Sequence, residues 1–156
     1  MNIQQTKQLT ARQFQEIDQL WNKEYPVTLK DRFGLLLDGV ENYTHYLIED
    51  EHNHIIAWAV DFEKDKEIRF SIIVDSKQQG KGLGQLLIKH LKAALNEFYG
   101  WVIDHNNDLK ANGEYYQSPL SFYEKQGFEV LHDVRVDTEM LKAVKIKWVK
   151  HPVSNQ

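Results

Sequence analysis

Cysteine is absent from the 156 residues. A disulfide framework, a thiolate metal site and a cysteine nucleophile are therefore excluded. Proline is scarce: residues 26, 119 and 152 form no linker, so residues 1–156 read as one domain. No apolar run approaches the ~18 residues of a membrane helix. The polar stretch 1–10 lacks the apolar centre of a signal peptide, and a cytoplasmic protein without membrane contact is expected. A basic excess is missing too. The 19 basic and 23 acidic residues leave a formal net charge of −4, which argues against a nucleic-acid partner but not against a small anion held locally. Repeats and low-complexity segments are lacking. The seven histidines form no ligand set, with only His52 and His54 close together at a turn, so no metal is expected.

What is present suffices for a core: 42% of residues are hydrophobic and 12% aromatic. Thr10 and Gln13 fit a capping box ahead of Phe14, Ile17, Trp21 and Tyr25 at helical spacing. Pro26 ends that helix. A second helix is expected from Thr28, carrying Leu29, Phe33, Leu36 and Leu37 and closed by Gly39. Residues 43–48, 54–62 and 68–74 read as an antiparallel meander. Leu83, Leu86, Leu87, Leu91, Ala94, Leu95 and Phe98 then predict a long amphipathic helix, followed by a short strand at 101–104. The stretch 105–117 is polar and loop-like. Ser118 and Pro119 open a short helix, with serine as cap and proline first. Residues 128–136 and 143–149 close the chain as a strand pair, and a strand at 3–9 is weakly signalled. The order implies an α/β layer fold around a mostly antiparallel sheet.

The segment from Val74 to Gln85 carries the chemistry. A strand ends, a turn with glycines at 80, 82 and 84 follows, and a helix begins. Such a junction offers unpaired backbone N–H groups and the positive end of a helix dipole, which suit a phosphate or pyrophosphate. Lys77 and Lys81 add positive charge. The dinucleotide pattern fails, because its third glycine would fall at Gln85 or Leu87, and the P-loop triplet is absent.

The run Gln79-Gly80-Lys81-Gly82-Leu83-Gly84 resembles the Gln/Arg-x-x-Gly-x-Gly/Ala signature of the GNAT superfamily of acyl-CoA-dependent N-acetyltransferases. Val74 stands five residues before Gln79, where that family ends its fourth strand. Ser121-Phe122-Tyr123-Glu124-Lys125-Gln126-Gly127-Phe128 resembles its second, helix-to-strand motif. The resemblance covers nearly the whole chain. It implies a mixed, mostly antiparallel sheet of about six to seven strands flanked by four helices. It also implies acetyl-CoA as co-substrate, a small-molecule or protein amine as acceptor, and allows a homodimer.

Residue by residue, the resemblance gives Gly80, Lys81, Gly82, Leu83, Gly84 and Gln85 the pyrophosphate, with Gln79 opening the loop. Ile72 and Val74 pair through their backbones with the pantetheine arm. A bulge near 72–74 is expected to splay the fourth and fifth strands. Tyr123 becomes the general acid that protonates the departing thiolate. For a general base the candidates are Glu67, Asp104 and His105, with Asp61 and Glu63 behind them. Asp61, Glu63, Asp104 and Asp108 would suit a cationic acceptor. Tyr116 and Pro119 depart from the family, which often has asparagine and alanine there, and the loop 106–117 reads as part of the acceptor site. Lysines 142, 145, 147 and 150 read as a solvated strand face. A reading from another class, a non-catalytic acyl-CoA-binding or sensing module, keeps the phosphate loop and lacks turnover; Tyr123 speaks for the enzyme.

Overall fold

The structure, a computed structural model, describes residues 2–151, leaving Pro152 outside. Seven strands form one sheet in the order β1-β2-β3-β4-β5-β7-β6. They are β1 (Ile3–Thr6), β2 (Tyr43–Glu49), β3 (Ile55–Lys64), β4 (Glu67–Val74), β5 (Glu97–Ile103), β6 (Glu129–Asp137) and β7 (Lys142–Val149). Every neighbouring pair is antiparallel except β4 and β5. The α-helices are α1 (Ala11–Glu24), α2 (Leu83–Ala94) and α3 (Leu120–Lys125).

Helices cover both faces of the sheet. Ile17, Leu20 and Trp21 of α1 pack with Trp58, Val60 and Ile73 on one face. Leu83, Leu87, Ile88 and Leu91 of α2 pack with Phe70, Phe98 and Ile146 on the other. β3 is buried on both sides over its first six residues, which explains its nearly unbroken apolar sequence. The β3–β4 hairpin turns on Asp65 and Lys66, both at positive φ (53° and 64°), as a two-residue turn matched to strand twist requires. The capping box of Thr10 and Gln13 forms as expected.

Three α-helices stand among the described residues, where four were expected. The segment from Thr28 folds as two short 3-10 turns, Val27–Leu29 and Phe33–Leu35, because Asp31 between them takes φ 63°. The Asn22 side chain holds Asp31 there, accepting from its backbone N–H at 2.8 Å and donating to its carboxylate at 3.0 Å. Phe98 belongs to β5, not to α2. The helix stops at Ala94, and Phe98 pairs in register with Trp148 while its ring fills the core. Pro119, not Ser118, directly precedes α3; the Ser118 hydroxyl still accepts from the Leu120 backbone N–H at 3.3 Å, as a cap does, and also donates to the carbonyl of Ile103 (2.5 Å) at the end of β5.

His45 on β2 is 2% exposed and its Nδ1 accepts from the Trp58 indole N–H at 3.0 Å. Burial pushes its pKa down to about 4 from an ordinary 6.5. The unfolded chain thus gains a proton near pH 6.5 that the folded chain refuses until about pH 4. Stability from this group is complete above that window and is lost as pH falls through it, by on the order of 3 kcal/mol. Urea unfolding at about pH 7 and about pH 4.5 is expected to show the loss, and His45→Gln to reduce it.

Candidate active site

β4 and β5 start side by side but pair only at Arg69 and Tyr99. Beyond that point β5 stays in a seven-pair ladder with β7, while β4 stays laddered to β3. The two strands diverge, and a cleft opens through the sheet. The bulge expected near 72–74 is absent, since the β3–β4 register runs without a shift from Ala57/Val74 to Lys64/Glu67. The divergence needs no such defect. Each strand follows its own partner, and the Phe70 ring lies where a Gly100 side chain would project, 2.6 Å from its Cβ position.

On the α2 side lies a cleft of about 590 Å³. Ile72, Val74, Gln79, Gly80, Gly82, Leu83, Gly84 and Gln85 line it. Lys81 does not; its ammonium donates to the Gln78 side chain at 2.7 Å. Gly80 and Gly82 take φ 83° and 74°, a region that penalises any Cβ, and open space surrounds both Cβ positions. Gly82 caps α2 without a side-chain bond, which leaves the first N–H groups of that helix without a side-chain partner where Leu83, Gly84 and Gln85 line the cleft. Gly84 has another role: its Cβ would stand 3.3 Å from the Phe122 ring, so it lets α2 and α3 approach.

Past β4 and β5, on the α1 side, lies a second cleft of about 480 Å³. Tyr25, Ile72, Tyr116, Pro119 and Tyr123 line both clefts and mark their junction. Tyr123 is 7% exposed, with its ring edge-on to Phe70 and Phe128. Its hydroxyl has no hydrogen-bond partner among the described residues. Burial, and then the nearby Tyr25, push its pKa far above that of an ordinary phenol, so it stays protonated. Tyr25 reaches the junction from the end of α1, its hydroxyl 3.1 Å from Ser71 Oγ and 3.3 Å from the Ile72 carbonyl.

The expected bases lie elsewhere. Glu67 lines neither cleft and is held by Lys145 (2.6 Å) and Arg69 (3.0 Å). Burial raises its pKa, but these cations outweigh that and keep it ionised. Lys145, read as solvated, is only 13% exposed and sits over the Tyr99 ring. Asp104 grips Arg135 at 2.6 Å, which lowers its pKa, and lines neither cleft. His105 lies 3.6 Å from Asp108, likewise outside both.

The loop 106–117 forms a small bridge pair (Leu109 with Tyr115) and docks on the exit of α1 through Pro26 and Lys110. It contributes Tyr116 to both clefts and Lys110, Glu114, Tyr115 and Gln117 to the α2-side cleft. Glu24, which no local pattern singles out, closes the corner. It accepts from the backbone N–H of Ser76 at 2.8 Å and pairs with Lys110 at 3.2 Å, tying α1 and the loop to the glycine turn.

Among the described residues no helix is long and apolar enough to cross a membrane, and no cluster of acidic or histidine side chains could hold a metal. No curated protein sequence matches the chain. Residues 41–130 match the family described as acetyltransferase (GNAT) domain. Solved structures share the fold at low identity. A phosphinothricin acetyltransferase from Sinorhizobium meliloti in complex with acetyl-CoA is 13% identical with a TM-score of 0.63, over 100% of this chain and 93% of that one. A ribosomal-protein-alanine N-acetyltransferase from Brucella melitensis is 17% identical (TM-score 0.63, 96% and 99% covered). A spermidine/spermine N-acetyltransferase from Vibrio cholerae is 16% identical (TM-score 0.59, 94% and 92% covered).

Proposed function

The chain belongs to the GNAT acetyltransferase family, and on that premise we propose that it transfers an acetyl group from acetyl-CoA to a primary amine by direct attack within a ternary complex. The observation that carries this is the junction itself, where the uncapped α2 cleft meets the α1-side cleft at the buried, protonated Tyr123.

The residues present fit the co-substrate. The N–H groups of α2's first turn and the Gly80–Gly82 backbone suit a pyrophosphate. Past Arg69 the β4 edge facing β5 is unpaired, so Ile72 and Val74 can receive the pantetheine arm as an added strand. Bound acetyl-CoA supplies an activated acyl group: the amine's N–C bond forms as the C–S bond breaks. Tyr123 gives its hydroxyl proton to the departing sulfur and is reprotonated from solvent, which takes the proton the amine loses. The desolvation that raises the phenol's pKa also raises that of a thiolate in the same cleft, so the match is kept. Among the described residues no carboxylate or histidine lines the α1-side cleft, so the proposal assigns no dedicated base.

Thiol release should require both acetyl-CoA and an amine, and mass spectrometry should find the acetyl group on that amine. Release at the same rate with the amine left out would contradict transfer.

A further inference from the structure

We propose that the acceptor carries a carboxylate or similar anionic group across an apolar body from its amine, and that Arg32, Lys64 and Arg69 recognise that anion. This deepens the transferase reading and rests on it. The α1-side cleft has the size of a small-molecule site. Its charged lining residues are Arg32, Lys64 and Arg69, all cationic. Asp61, Glu63, Asp104 and Asp108, expected to favour a cationic acceptor, all lie outside that lining.

The cations gather from separate segments. Arg32 comes from the turn after α1. The β3–β4 hairpin brings Lys64 and Arg69 together, since Arg69 pairs with Phe62 two residues from Lys64. Arg69 donates Nε to Glu67 at 3.0 Å and Nη2 to Asp65 at 3.3 Å, so its charge is partly answered. Arg32 and Lys64 have no acidic partner within 4.0 Å among the described residues. All three line only this cleft, not the junction. Arg69 precedes Ile72 by three residues, about 10 Å along the strand. An extended ω-amino acid spans that distance, its anion at the cations and its nitrogen at Tyr123.

Charge decides between acceptor classes. A polyamine would meet three like charges and no carboxylate. An anion here gains charge-assisted hydrogen bonds from guanidinium and ammonium donors. The same cations disfavour the ammonium form of the acceptor and so favour the neutral, nucleophilic amine. Trp21, Leu36, Phe62 and Met140 supply apolar wall for the body between the two polar ends.

The test is a set of matched acceptors given to the full chain with acetyl-CoA: 6-aminohexanoate, 8-aminooctanoate and 4-(aminomethyl)benzoate, the amide of each, and spermidine. The carboxylates are expected to exceed their amides in kcat/KM by about tenfold to a hundredfold. Arg32→Gln with Lys64→Gln, both at exposed positions, should raise KM for the carboxylates about tenfold and narrow that ratio, with kcat and the acetyl-CoA KM as internal reference. Amides or spermidine acetylated as well as the carboxylates would overturn the inference and leave the transferase reading standing. So would acetyl-CoA binding with no acceptor in the set consumed. Failure to bind acetyl-CoA would instead remove the transferase reading beneath it.

Discussion

Replacing Tyr123 by phenylalanine is expected to lower kcat by about a hundredfold or more while leaving acetyl-CoA affinity unchanged. The substitution is close to a single-atom test. The Tyr123 ring packs on Phe70, Phe122 and Phe128 at centroid distances of 5.7, 5.2 and 5.4 Å, and phenylalanine keeps all three contacts. Its hydroxyl has no partner to strand among the described residues. Unfolding stability should therefore change by less than about 1 kcal/mol, because no buried donor or acceptor is orphaned. Steady-state kinetics and acetyl-CoA binding, measured on one preparation, separate the two effects. A purely structural Tyr123 would leave kcat within a few-fold of the parent. Burial and Tyr25 hold the phenol's pKa well above its usual value, so no alkaline fall in kcat from this group is expected up to about pH 10.

Gly82→Val is expected to weaken acetyl-CoA binding at least about a hundredfold, or roughly 2.7 kcal/mol. Two physical effects act together. At φ 74° a β-branched residue is strained by about 1–3 kcal/mol. The new side chain also enters open space in front of α2, which lacks a side-chain cap, at the proposed pyrophosphate site. Gly39→Val separates these effects. Gly39 has φ 73° and open space around it too, but lines neither cleft. It should lose similar stability and keep acetyl-CoA binding. Equal loss of binding in both variants would show that strain, and not occupancy of the cleft, is responsible.

The parts of the site that were legible in the sequence are those made locally. The glycine turn has its own pattern, and Gly80 and Gly82 prove to need it, at φ 83° and 74°. The segment around Tyr123 is likewise a short continuous motif. What escaped is built across the fold. Tyr25 looks like one more apolar position on α1, yet its hydroxyl ends at Ser71 and Ile72, 46 and 47 residues away. Glu24 reaches Ser76 across 52 residues. The cationic lining of the α1-side cleft needs the β3–β4 register and the broken turns after α1 before it exists at all. Periodicity fails where two elements share one phase. Leu91, Ala94, Leu95 and Phe98 keep helical spacing, and only the pairing of Phe98 with Trp148 turns the last into a strand residue. Apolar spacing predicts a helix from Thr28 as well, but it cannot register the positive φ that Asn22 imposes on Asp31. Glu67 and Asp104 are acidic at plausible places in the chain, and their commitment to Lys145, Arg69 and Arg135 is a matter of tertiary pairing.

On the transferase proposal, the splayed β4–β5 cleft and the glycine turn hold acetyl-CoA. Thermal unfolding with acetyl-CoA, against the same concentration of ATP, tests it most directly. At a hundredfold excess over the dissociation constant one site adds about 2.7 kcal/mol, or roughly 5–10 °C for a domain of this length. That shift is expected with acetyl-CoA, little with ATP, and none with acetyl-CoA in Gly82→Val. An equal shift with ATP, or no shift at millimolar acetyl-CoA, would contradict it.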